Sequence, residues 1–563
     1  MSFRLPQSVF LLSGVVALVA SASVAAIDSA HPMFNDLPRV AIGLAFAATI
    51  GVVWGGRARW AAVMYIVATG AWLASSGDRL GPLPTRMLVF GVDGATWQVI
   101  DREPLPNFTR LAARGTRANL ISMEPMFSPL LWTTIASGRA VDDHGVRGFR
   151  VHTEDCKVAR WWDIAEESGA AVGLYKWLVD YPPRTFAHGG FWVPGWLAPA
   201  PDTWPARLAV VKEVELGNRL RRKTIGARGA SWDRARRLLG VGVRLSTFGE
   251  AAAWTLREWI STSDEATRNV SLQLLRGDID RDVFIEQLYV ERPSVASLNY
   301  YAVDGLGHLY WDRYEAGGPE LRAAYRQADA LLGELADRIG PHGRILVVSD
   351  HGFAAVDAAG SAGQFLPLTE RLRERISAEV TPVDVTRLGH KLVVGAGDSE
   401  RAATVRAWLA SLVDAAGNPF YQVVNFPGDE GSLALTLTDE ALSVERLATE
   451  TVGGEPIATY VTLTATYTGM HEKHGIFLAL GAGVPRGAHV GDVPLLDAAP
   501  TILAGAGLPA AMDMPGRAQV WPEAPRVASW DWLLSKLAVG AAAPGVNEDM
   551  LRELGYIDDG TKR

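Results

Sequence analysis

Met87-Leu-Val-Phe-Gly-Val-Asp93-Gly94 is a run of apolar and small residues that closes on a carboxylate and a turn residue. A continuous apolar stretch of this length reads as a strand buried on both faces, as in parallel sheets. Three distant segments close in the same way on metal-binding side chains. They are Leu298-Asn-Tyr-Tyr-Ala-Val-Asp304-Gly-Leu-Gly-His308, Ile345-Leu-Val-Val-Ser-Asp350-His351-Gly and Thr468-Gly-Met-His471-Glu-Lys-His474-Gly. An Asp at the C-terminal end of a buried strand lies on the edge where open α/β sheets build their sites. One Asp-Gly is a turn and nothing more. Asp93, Asp304, His308, Asp350, His351 and His471 together make a donor set for two divalent cations, zinc by its imidazoles, with manganese admitted by its oxygens. The Asp304–His308 spacing lets both side chains reach one ion, and adjacent Asp350 and His351 can serve the other. His474 competes with His471, and His144-Gly145 reads as a turn.

From residue 86 onward strands and helices alternate, the pattern of a mostly parallel sheet between helical layers. Strands are expected at 87–92, 171–175, 295–303, 345–349 and 476–480, with a helix over 105–115 that ends on a Gly cap. The catalytic core falls in three parts, 81–150, 291–358 and 467–563. Between them stand a Trp- and Arg-rich insertion at 151–290, read as a cap, and an α+β insertion at 359–466. Leu495-Leu-Asp-Ala-Ala-Pro-Thr-Ile-Leu503 reads as the start of a late helix packed on the sheet.

The chain has 563 residues and a net charge of −8, which excludes a nucleic-acid polymer as a partner on bulk electrostatics. Its single cysteine, Cys156, permits no internal disulfide and reads as a buried structural thiol. Residues 1–80 differ in kind. Apolar runs at 9–27, 40–54 and 60–74 read as three transmembrane helices, the second and third on the short side. A cleaved signal peptide is the competing reading of the first run. Arg4, Arg57 and Arg59 flank these runs. The excess of positive charge on the cytoplasmic side then places the large domain outside the cytoplasm, on the periplasmic face of a bacterial inner membrane.

Ser128-Pro-Leu-Leu-Trp-Thr133-Thr134 supplies a hydroxyl at the start of a helix, where Pro is tolerated and free N–H groups favour a phosphate. Beside a metal ion Ser128 becomes a usable nucleophile; Thr133 and Thr134 are the fallbacks. The stretch from Arg219 to Lys223, with Arg234, Arg236 and Arg237, is either a solvated helix face or a contact for anionic lipid headgroups. Of the tryptophans in the first insertion, some belong to the core and others can line a lid.

Taken together, these segments resemble the alkaline phosphatase superfamily, closest to its type I phosphodiesterase/nucleotide pyrophosphatase branch. The matching residues are Gly-Val-Asp93-Gly, Ser128-Pro-Leu-Leu-Trp-Thr-Thr, Asp304-Gly-Leu-Gly-His308, Ser-Asp350-His351-Gly, and His471 before Gly-Ile-Phe-Leu-Ala-Leu-Gly. The resemblance implies that Asp93, Asp350 and His351 hold one zinc beside Ser128. It further implies that Asp304, His308 and His471 hold a second, and that a phospho-enzyme forms and is resolved by water. That branch usually carries Thr at the nucleophile and an Asn some twenty residues later on a phosphate oxygen. Here Ser128 replaces the first, and the second neighbourhood offers Arg147 or Arg150 instead. The expected function is a membrane-anchored phosphodiesterase acting on a phosphate ester. The alternatives are a phosphomonoesterase, a headgroup phosphotransferase of the phosphoglycerol or phosphoethanolamine type, and a non-catalytic membrane-anchored binding protein.

Overall fold

The computed structural model describes residues 83–148, 152–220, 230–260, 265–355, 365–367, 369–388, 391–414, 417–426, 430–437, 450–463 and 468–537. The three expected spans lie outside the described residues. Among those described, no helix is long and apolar enough to cross a membrane. The chain divides into Met1–Leu83 and Pro84–Arg563, and the architecture below is that of the second unit.

Eight strands form the central sheet: β1 (Met87–Val92), β2 (Thr116–Ile121), β3 (Val172–Tyr175), β4 (Gly190–Val193), β5 (Val295–Tyr300), β6 (Arg344–Val348), β7 (His474–Gly481) and β8 (Ala488–Pro494). Their spatial order is β8-β2-β7-β6-β1-β5-β3-β4. β1 lies between β5 and β6, parallel to both, and all six of its residues are buried. This central position is what an unbroken apolar run demands, since helices cover both faces. β7 is antiparallel to both of its neighbours, so it alone among the eight runs against the rest. The outermost strand, β8, is mostly exposed and carries a bulge between His489 and Asp492, which blunts an edge open to pairing.

Several expectations are corrected. The strand over 295–303 stops at Tyr300, and a helix, Ala302–Glu315, takes up the following residues. Asp304 therefore stands in a first helical turn and not at a strand end. The helix expected over 105–115 is present but shorter, Pro106–Ala112, and a separate one, Trp97–Arg102, precedes it. Gly115 is no cap: a Cβ there would meet the Ala479 carbonyl oxygen at 2.3 Å, so the glycine allows close strand approach.

The cap expected over 151–290 is divided. β3 and β4 fall inside it and belong to the central sheet, because a helix at Trp161–Glu167 seals them with tryptophan. Trp161, Trp162, Trp177 and Trp192 are fully buried and meet edge to face at ring separations of 5.3 to 6.4 Å. They are core and line no lid. Trp196 and Trp204 are partly buried, and the side chains of Trp232 and Trp259 lie outside the described residues. The helical part comprises Ala209–Leu220, Ala230–Gly240, Leu245–Ile260 and Glu265–Val290. Of the cationic run, Arg237 pairs with Glu213 at 2.7 Å and Arg236 with Asp233 at 3.2 Å; residues 221–223 are not described. The segment 359–466 holds a separate four-stranded antiparallel sheet, with helices Thr369–Glu379 and Ser399–Ala410 and its own apolar core. Cys156 is buried and its thiol is pushed up by that burial.

Candidate active site

Three adjacent parallel strands deliver their ends to one place. Asp93 follows β1 directly, and its N–H donates to Tyr300 O at the end of β5 (3.0 Å). Gly94 then turns at φ 71°. A Cβ there would lie 2.7 Å from the Phe353 ring and 3.1 Å from the Asp304 Cα, so the turn passes hard against the Asp304 helix. Asp350 and His351 follow β6. The Ser349 hydroxyl there donates to the His351 carbonyl (2.5 Å) and accepts from Ala95 N–H (2.8 Å), tying the two strand ends together. His471 arrives from the far end of the sequence on Gly469–Glu472, which pairs antiparallel with Gly352–Ala355 and sets His471 opposite Phe353.

All six residues expected to bind metal converge. His351 Nε2 lies 3.5 Å from Asp93 Oδ1, 3.6 Å from Asp350 Oδ2 and 4.0 Å from Asp304 Oδ1. Asp304 Oδ1 is 3.5 Å from His308 Nε2 and 3.4 Å from His471 Nε2, and those two nitrogens are 3.0 Å apart. Ligand atoms of Asp93, Asp350 and His351 lie within 4.8 Å of one another, as do those of Asp304, His351 and His471. His351 thus stands between the two groups, and His308 extends the second.

Each imidazole is oriented by its other nitrogen. His308 Nδ1 meets Gly469 O (3.1 Å), His351 Nδ1 meets Gly352 O (3.0 Å) and His471 Nδ1 meets Met126 O (2.8 Å). A carbonyl only accepts, so every Nδ1 carries its hydrogen, which leaves every Nε2 as the nitrogen that can bind a metal.

The electrostatics favour a cation. Burial, then the charges of Asp350 and Asp304, hold the Asp93 carboxyl well above its ordinary range. Asp350 is pushed up to about 7 by burial and the charge of Asp304. Asp304 goes the other way, to about 2, because His308 and His471 outweigh its burial. Burial lowers His308 to about 4 and sends His351 well below its usual value. Asp93 Oδ1, Asp304 Oδ1, both oxygens of Asp350 and His351 Nε2 are buried without a hydrogen-bond partner. The N–H groups of Gly94 and of Asp350 itself ease the Asp350 charge without reaching hydrogen-bond geometry. Leaving several ionisable groups bare in the interior costs several kcal/mol per ion. Divalent cations remove that cost, and the donor set fits them.

Ser128 opens a ten-residue helix, Ser128–Ser137, every residue of which is buried, with Pro129 in its first turn. Two contacts join this helix to the cluster. Trp132 Nε1 donates to Asp93 Oδ2 at 2.8 Å, and Met126, two residues before Ser128, accepts from His471. Thr133 and Thr134 direct their hydroxyls to the carbonyls of Pro129 and Leu130, at 2.7 and 3.1 Å, and offer nothing to the cluster. Buried His144 holds Thr134 Oγ1 at 3.1 Å, a structural contact. Arg147 donates through one Nη2 hydrogen to exposed Asp142 at 2.6 Å and is itself 25% exposed. Arg150 is outside the described residues. His474 pairs with Glu472 on the surface and takes no part. Trp132 was missed as a partner of Asp93, since an apolar helix gives no sign that one of its indoles turns toward a carboxylate. Tyr301 was missed too: burial first, then the charges of Asp93 and Asp350, push its hydroxyl well up.

A mostly parallel α/β sheet that gathers two Asp/His groups at its C-terminal edge is an arrangement suited to a metal-dependent phosphoric ester hydrolase. The sequence model of the type I phosphodiesterase / nucleotide pyrophosphatase family matches residues 87–427, more than half of the chain, and the chain belongs to that family. The family is metal-dependent. No curated protein matches the chain in sequence. Among solved structures, murine ectonucleotide pyrophosphatase / phosphodiesterase 5 is similar at 12% identity and a TM-score of 0.43, over 80% of this chain and 100% of that one. The human protein of the same name has 12% identity and a TM-score of 0.42, over 80% and 99%. An inactive form of the murine protein, in complex with AMP, gives the same four values.

Proposed function

We propose that the chain is a two-metal phosphodiesterase in which Ser128 attacks phosphorus and water then releases the phosphoryl group. We further propose that residues 1–80 anchor it in a membrane with the hydrolase domain outside the cytoplasm. The observation that carries the catalytic reading is the set of five buried, unpartnered ligand atoms that follow β1 and β6 and stand in the first turn of the helix after β5. Asp93, Asp350 and His351 would hold one ion; Asp304, His308 and His471 would hold the other. Zinc suits the three imidazoles. When bound, such a pair offsets the charge that gathers on attacking and leaving oxygens.

The chain's own groups do the rest. Trp132 fixes the Asp93 carboxylate, and the backbone carbonyls of Gly469, Gly352 and Met126 fix the imidazoles. The start of the Ser128 helix would offer a phosphate group its positive dipole end. As the bond from Ser128 Oγ to phosphorus forms, the bond to one ester oxygen breaks and that oxygen leaves as the alcohol, carrying the proton Ser128 gives up. Water then attacks the phosphorus of the seryl ester, and its proton returns to Ser128 Oγ as that oxygen leaves and a phosphomonoester is released.

Ser128→Ala is expected to abolish hydrolysis of an aryl phosphodiester while metal content, measured by elemental analysis, stays at the wild-type level. Retained turnover removes Ser128 from the reaction.

A further inference from the structure

As the bond to the leaving group lengthens, negative charge gathers on the oxygens of the phosphoryl group, and a buried site answers it with fixed donors. One donor beside the cluster is already committed, Trp132 Nε1 to Asp93. Asn299 is different. It is the next-to-last residue of β5, in register with Gly91 of β1, and only 2% exposed. Its Oδ1 is buried with no hydrogen-bond partner. A Cβ on Gly91 would come within 2.5 Å of both Asn299 Oδ1 and the Trp132 ring, so the amide sits in a notch beside the indole that holds Asp93.

The amide is aimed by Tyr301, which links β5 to the Asp304 helix. The Tyr301 hydroxyl gives its hydrogen to Lys176 O at 2.6 Å, so toward Asn299 it can only accept. It takes one Nδ2–H at 3.4 Å. Asn299 therefore keeps a second N–H and its Oδ1 uncommitted. Lys176 itself sits at φ 62°, a conformation that a residue with a side chain adopts only when its surroundings impose it. Its ammonium pairs with Glu215 and with Asp280.

Resting on the phosphodiesterase reading above, we propose that Asn299 donates its second N–H to a non-bridging oxygen of the substrate's phosphoryl group, and that Tyr301 is the positioning residue that sets the amide's orientation. No covalent bond or proton transfer is involved; the contact is a hydrogen bond that strengthens as charge builds.

The test uses the full-length chain in detergent, with bis(p-nitrophenyl) phosphate as substrate and inorganic phosphate as competing probe. Removing one such donor lowers kcat by about 100-fold, and that is the expected loss for Asn299→Ser. Tyr301→Phe keeps the contacting amide and loses only its aim, so about tenfold is expected, near one hydrogen bond's worth. Both variants should bind inorganic phosphate more weakly with metal content unchanged, and both should stay folded at the assay temperature with a modestly lower melting temperature, since Tyr301→Phe gives up its bond to Lys176 O. The proposal is overturned if both variants keep wild-type kcat and phosphate inhibition, or if activity falls only together with metal content or with unfolding at the assay temperature. Ser128→Ala run in parallel separates the two ideas. If that variant is silent and Asn299→Ser is normal, only this inference fails. If Ser128→Ala still turns over, the underlying reading fails as well.

Discussion

At the scale of single residues, three carboxylates share one buried space, and their burial, then their mutual repulsion, makes the metal-free protein sensitive to pH. Asp350 in that state is held at about 7, against an ordinary value of 3.8. Below about pH 4 it is protonated whether folded or unfolded, and its contribution is fully present. As pH rises toward about 7 the unfolded chain ionises first, and that contribution is lost. Asp93 is shifted in the same direction, while Asp304, at about 2, stays ionised across this window. In chelator, thermal melts at pH 4.5 and 7.5 should therefore show Asp350→Asn gaining on the wild type at the higher pH. A gap that does not widen would mean that Asp350 is not under this strain. The six converging side chains were legible because Asp and His beside apolar runs have few other uses. Trp132, Asn299 and Tyr301 were not, because their part depends on which way a buried side chain turns.

At the scale of elements, β1 and β6 could be read almost to the residue, since a strand covered on both faces leaves an uninterrupted apolar record. β5 could not. Its apolar run continues through Ala302 and Val303 into the next helix, and pattern alone does not reveal where extended backbone ends. β3 was recognised as a strand yet assigned to an insertion, because four buried tryptophans made a core look like a ligand-binding cap. The Gly94 turn tests the element packing directly. Gly94→Ala places a side chain at positive φ against the Phe353 ring and should destabilise the folded state by about 1–3 kcal/mol. Chemical denaturation would measure this, and an unchanged midpoint would show that the turn does not press on the Asp304 helix as described.

At the scale of the whole molecule, two features bear on where the reaction happens. The unit Pro84–Arg563 carries every candidate catalytic group, and the apolar runs at 9–27, 40–54 and 60–74 precede it. The cationic flanks of those runs predict that a reporter fused after Arg563 is active outside the cytoplasm and silent within it; a cytoplasmic signal would reverse the proposed orientation. The convergence of segments from both ends of the unit was foreseeable from residue types, whereas the reversed strand β7, which brings His471 in beside β6, left no trace in the pattern. The central claim is the pair of cations, and anomalous diffraction from zinc-loaded crystals addresses it most directly. Two peaks are predicted, one among Asp93, Asp350 and His351 and one among Asp304, His308 and His471. A map with no peak among these six side chains would contradict the account.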